Sequence, residues 1–115
     1  MTDRERLKLA AKAAGYEWRE DIKRERDKIG VDALWIPHVS TGWNPLKNSG
    51  DALSLAVACQ LGISIVGGRA GLVECVSFKE CHCFVSSREI ADDGDLCAAT
   101  RRAIVRAAAE IGAQM

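Results

Sequence analysis

Trp43-Asn44-Pro45-Leu46, followed by Gly50-Asp51-Ala52-Leu53 and an apolar run to Leu61-Gly62, is the stretch that decides the fold. Pro45 bars Asn44 from helical geometry, and the Asn44 side chain can bond to its own backbone just downstream. Trp43 supplies a large apolar anchor beside that turn. Asn48 or Ser49 then caps a helix predicted from Asp51 to Leu61, where Leu53, Leu55, Ala56, Val57, Ala58 and Cys59 leave almost no polar face. This helix is expected to be the most buried of the chain, with Gly62 as its stop.

Downstream, Ile63 to Val66 reads as a strand, Gly67 to Gly71 as a turn and Leu72 to Ser77 as a second strand, which together make an antiparallel hairpin. Cys81 to Val85 predicts a further strand, with Cys81, Cys83 and Val85 on one side and His82 and Phe84 on the other. Asp95 caps a last helix whose apolar stripe is Leu96, Thr100, Ala103, Ile104, Ala107 and Ile111, with Gly112 at its end. Arg101, Arg102 and Arg106 fall on its outer or flanking face.

Upstream, Thr2 and Glu5 form a capping-box pattern, Asp3 suits the positive end of a helix and Gly15 supplies a left-handed stop. The stripe Leu7, Ala10, Ala11 and Ala14 is narrow, which places this helix on the outside of the sheet. Tyr16 to Arg19 reads as a short strand, and Glu20 to Lys28 as a solvated mixture of charges. Ala33 to Val39 is β-prone, with Pro37 confining it to a sheet edge or a strand end.

The Trp43 to Leu53 block, taken with Ala99-Thr100-Arg101-Arg102-Ala103-Ile104-Val105-Arg106, resembles small bacteriophage and prophage proteins of the phage ABA-sandwich, or NinX-like, type. The resemblance covers roughly the second half of the region from Trp35 to the terminus, while residues 16 to 40 and Cys75 to Cys83 stand outside it. It implies an α+β fold: an α-β-α layered sandwich with a small, mainly antiparallel sheet of about four strands and about three helices. One domain spanning residues 1–115 is expected, and no biochemical role comes with the family.

At 115 residues, 48% apolar and 28% charged, the chain is large enough to bury a core without a disulfide or metal and too apolar to be disordered. Sixteen basic residues balance sixteen acidic ones, so no global field draws it to nucleic acid or an anionic membrane. The charge is nonetheless uneven: residues 1 to 30 and the last helix lean basic, and the middle leans acidic. Thr2 to Arg6 offers no apolar leader, and five cysteines, an odd number, mostly in apolar surroundings, read as reduced thiols. A cytoplasmic protein of a bacterial host cell is the expectation.

Several constellations suggest chemistry. Cys75, Cys81, His82 and Cys83 have ligand types, but His82 points away from its neighbours in a strand and the spacing is too tight for a zinc finger, so no metal is expected. Neither His38 nor His82 comes with a nucleophile motif around a cysteine. Gly67 to Gly71 lacks the residues of a phosphate loop, and Asp92, Asp93 and Asp95 suit a helix start better than a calcium loop. Arg101, Arg102 and Arg106 present either a solvated helix face or a patch for phosphate, RNA or an acidic partner. Trp43, Asn44 and the helix start at Asp51 present either a capped turn or a recognition corner.

The expected function is therefore that of a non-enzymatic phage or prophage accessory protein that binds a host or phage macromolecule, a protein more readily than a nucleic acid, with no cofactor and no membrane partner. The alternatives are a small-molecule or nucleotide binder at the Trp43/Asn44 corner, and nucleic-acid binding through the terminal arginines. Oligomeric state stays open, since an exposed strand edge can pair across a two-fold axis.

Overall fold

Thr2 opens the chain's first helix by accepting a hydrogen bond from Glu5 N while its own N–H donates to Glu5 Oε2, the reciprocal capping box read from the sequence. This helix, α1, spans Asp3–Ala14 and stops at Gly15, whose φ of 78° is the left-handed conformation glycine adopts without penalty. The computed structural model describes residues 2–18, 34–37, 39–66, 71–77, 85–90 and 95–115. Cys81, His82, Cys83, His38, Asp92, Asp93, most of the Gly67 to Gly71 turn and the charged segment from residue 20 lie outside the described residues.

The remaining elements are β1 (Leu34–Ile36), β2 (Ser40–Trp43), α2 (Ser49–Ala58), β3 (Leu61–Val66), β4 (Leu72–Ser77), β5 (Val85–Ile90) and α3 (Leu96–Ala113). The fold is α+β. Its described strands form two antiparallel sheets, β1-β2 and β3-β4-β5, rather than one sheet of about four. The hairpin of β3 and β4 is as expected, whereas β2 and most of β5 were not legible as strands. Trp43 ends β2, opposite Leu34, and so belongs to a sheet as well as to the turn after it. Pro37 falls directly after β1, where its missing N–H costs no ladder bond. Tyr16 to Trp18 forms no strand; Tyr16 instead sets its ring edge-on to Trp43, with centroids 5.9 Å apart.

Two expectations about the middle helix are corrected. α2 buries only Ala52, Leu55 and Ala56, while Leu53 and Val57, one turn apart, are 63% and 70% exposed. Its end is set by Gln60, at a φ of 54°, and Gly62 lies inside β3. A run from Leu53 to Cys59 broken only by Ser54 cannot itself say which side faces the core.

The deeply buried helix is α3, which hides Ala99, Ala103, Ile104, Val105, Ala107, Ala108, Ala109 and Gly112. It lies between α1 and the three-stranded sheet, touching both. Small side chains permit that position, because they let backbone approach on more than one side. The sheet face toward α3 carries Val73 and Cys75, both fully buried, and Glu89, paired in register with Val73 and bound to α3 arginines. The other face carries the Glu74 to Arg88 ion pair at 2.7 Å.

Candidate functional site

The turn after β2 is built by its own side chains. Asn44 Oδ1 accepts from Leu46 N at 3.1 Å, and Asn44 N donates to Asp51 Oδ2 at 3.0 Å. Asn48 caps α2 by accepting from Asp51 N at 2.9 Å. Trp43 is fully buried and Asn44 is 8% exposed. The corner read as a possible recognition site is thus a closed, self-bonded turn, with both Asn44 and Asp51 engaged in holding it.

Arg101 fastens that turn to α3: its Nε donates to Leu46 O at 2.9 Å, and Nη1 to Ser49 Oγ at 3.0 Å. The two sequence blocks therefore meet in space. Arg102 and Arg106 turn to the neighbouring side and converge on Glu89 of β5, whose side chain is 12% exposed. Arg106 Nη1 lies 2.8 Å from Glu89 Oε1, an ion pair whose N–H groups are not directed at that oxygen, and Arg102 Nε lies 3.5 Å from Oε2. Rather than forming one outward patch, the three arginines divide between fixing a turn and flanking a carboxylate.

Where that flank meets α1 there is a cleft of about 210 Å³. Leu46, Ala98 and Val105 give it apolar wall, and Asp3, Arg6, Lys47, Arg102 and Arg106 give it charge. Arg6 stands 3.9 Å from Asp3, a loose ion pair at the surface. With Glu89 behind, four cations face two carboxylates among the described residues, and the cleft favours an anion. Arg6 and Lys47 had no signal in the sequence, because nothing local says that the start of α1 lies beside the middle of α3.

That juxtaposition comes from a parallel docking of α1 on α3. Asp3 and Arg6 share the cleft with Arg102 and Arg106, Leu9 touches Gly112, and Lys12 Nζ donates to Met115 O at 3.3 Å. Comparison with known proteins returns no match, whether to a protein-family model, a curated protein or a solved structure. No described helix is long and apolar enough to cross a membrane. Among the described residues no cluster of His, Cys, Asp or Glu could hold a metal ion.

The described cysteines differ in environment. Cys59 and Cys75 are buried and Cys97 is exposed on the first turn of α3. Burial pushes the Cys75 thiol from 9.0 up to about 11, because a thiolate there would lose its hydration. Alkylation of dilute native protein, followed by peptide mapping, is expected to label Cys97 at least about tenfold faster than Cys59 or Cys75. As pH rises from 9.0 through 11 the unfolded chain loses the Cys75 proton before the folded chain does, so this group's contribution to stability is lost over that window. Equal labelling of all three thiols in folded protein would contradict this placement.

Proposed function

We propose that the protein is a non-enzymatic accessory binding protein, of the phage type its sequence resembles, that holds an acidic segment of a protein partner in the cleft between α1 and α3 in the bacterial cytoplasm. The observation carrying this reading is the convergence of Arg6, Lys47, Arg102 and Arg106 from three separate segments on one cleft. Carboxylates suit guanidinium groups through paired charge-assisted hydrogen bonds. None of the described lining residues is a thiol, hydroxyl or imidazole.

A protein partner is favoured over nucleic acid on two grounds. Among the described residues no aromatic ring lines the cleft for bases to stack on, and Trp43 and Tyr16 are packed against each other. Asp3 and Glu89 also interrupt the positive surface that a phosphate backbone would follow. The self-bonded turn at Asn44 and Asp51 withdraws support from the nucleotide-binding alternative.

The test is fluorescence anisotropy with a labelled oligoglutamate peptide, against an oligolysine peptide and single-stranded DNA of equal charge. Binding of oligoglutamate that weakens with salt is expected, with Lys47→Glu and Arg6→Glu each weakening it about tenfold, or roughly 1.4 kcal/mol, without loss of helical circular dichroism. Both positions lie clear of the Glu89 pair, so the fold should survive. Indifference to either reversal, or tighter binding of DNA than of oligoglutamate, would sink the proposal.

A further inference from the structure

On the side of α3 away from the cleft, β3 ends the three-stranded sheet, and among the described residues no strand pairs with its outer edge. Its sequence, Leu61-Gly62-Ile63-Ser64-Ile65-Val66, has no charge and no proline, and its register with β4 runs without a bulge. Proteins ordinarily protect an open edge with one of those devices, because the outward N–H and C=O groups of alternate residues invite another strand. Ile65 and Val66 are 53% and 57% exposed, and Ile63 is 37% exposed. Ile63 and Ile65 lie in register with Cys75 and Val73, so they belong to the sheet face covered by α3. Leu53, Leu96 and Ile104 continue this apolar surface as a groove of about 360 Å³ between α2, α3 and the edge.

We infer that a second copy of this chain occupies this surface, with β3 pairing antiparallel to the β3 of its partner across a two-fold axis perpendicular to the sheet. Such an axis joins the two three-stranded sheets edge to edge and keeps their helix-covered faces on the same side, so the two apolar grooves meet. Charge complementarity favours a copy over a foreign chain. A two-fold interface sets each patch against itself, which an uncharged patch tolerates and a charged one does not. Among the described residues lining the groove the one cation is Arg101, and its guanidinium is already bonded to Leu46 O and Ser49 Oγ.

The area is also of the right order. Leu53, Val57, Ile63 and Ile65, at their observed exposures, present roughly 300 Å² of apolar side chain, within the range of the largest patch on a typical monomer, and Val66 adds apolar surface on the opposite face of the same edge. A standard interface takes about 800 Å² from each partner, somewhat more than half of it apolar. The strand's backbone and Ser64, Ser49 and Thr100 supply the polar share.

The proposal is tested by sedimentation equilibrium of the whole chain up to about 100 µM, together with amide hydrogen exchange. A mass of about 25 kDa, twice the 12.5 kDa of the chain, is expected, with slowed exchange in Leu61 to Val66. Ile65→Lys should weaken association at least about tenfold and release those amides, because it sets like charges against each other across the axis. Ile65→Thr, which keeps a β-branched residue, should weaken it less and guards against a lysine variant that fails to fold. A monomer throughout this range, or a dimer that withstands Ile65→Lys or leaves the β3 amides fast, would overturn the inference. The acidic-peptide cleft lies elsewhere on α3, so its binding is expected to be unchanged in the folded Ile65→Lys monomer.

Discussion

Gly112→Ala is expected to destabilise the protein by about 3 kcal/mol, although alanine is favoured over glycine in a helix by about 1 kcal/mol. A Cβ at Gly112 would stand 1.9 Å from Leu9 O and 2.7 Å from Leu9 C. Both are backbone atoms, so no side chain can swing aside. Relief requires α1 to move off α3 by more than an ångström, which opens gaps beside Ala10 and Ala11 and forfeits their close contacts. Thermal unfolding should show a fall in Tm of roughly 10 °C or more for a domain of this size. Gly42→Ala is the control, because a Cβ there meets nothing within 4 Å and its backbone needs no left-handed conformation; its Tm should stay within about 2 °C. Equal melting of the two variants would show that Leu9 and Gly112 do not set the spacing of the helices. The same substitution should weaken oligoglutamate binding, since the docking of α1 is what brings Arg6 to Arg102 and Arg106.

That dependence explains what could be read from the chain and what could not. The ends of α1, the caps at Asn48 and Asp95, and the hairpin of β3 and β4 are local events, set by residues within a few positions of each other, and were legible. The inward side of α2 was not, because a run from Leu53 to Cys59 with Ser54 as its one polar residue carries little direction. Alanine misled in the opposite sense. The long terminal helix reads as modestly apolar, yet its small residues are what allow it to sit between α1 and the sheet. Arg101, Arg102 and Arg106 were recognised as a group, but their partition between Leu46, Ser49 and Glu89 depends on contacts 13 to 55 positions away for which the sequence holds no signal.

Trp43 separates a residue that looks functional from one that holds the functional surface in place. Trp43→Ala is expected to cost about 4 kcal/mol, a large part of the 5–15 kcal/mol typical of a whole domain, because it empties a fully buried ring site against Tyr16. Trp43→Phe should cost far less, about 1 kcal/mol. It loses volume, but it also removes an indole Nε1 that is buried with no hydrogen-bond partner among the described residues, and such a donor offsets part of what the ring contributes. Urea unfolding monitored by far-ultraviolet circular dichroism measures both values without relying on tryptophan emission. Binding then distinguishes the two roles. A recognition residue would lose affinity on the conservative change, whereas a buried anchor for the turn from Asn44 to Asn48 should leave oligoglutamate affinity within about twofold in Trp43→Phe. Lys47 reaches the cleft from that turn, and Leu46 O holds Arg101 beside it, so affinity should fall only when the turn itself gives way, as in Trp43→Ala. A Trp43→Phe variant of near-native stability that no longer binds would return Trp43 to the recognition surface and require the ring to leave its place against Tyr16.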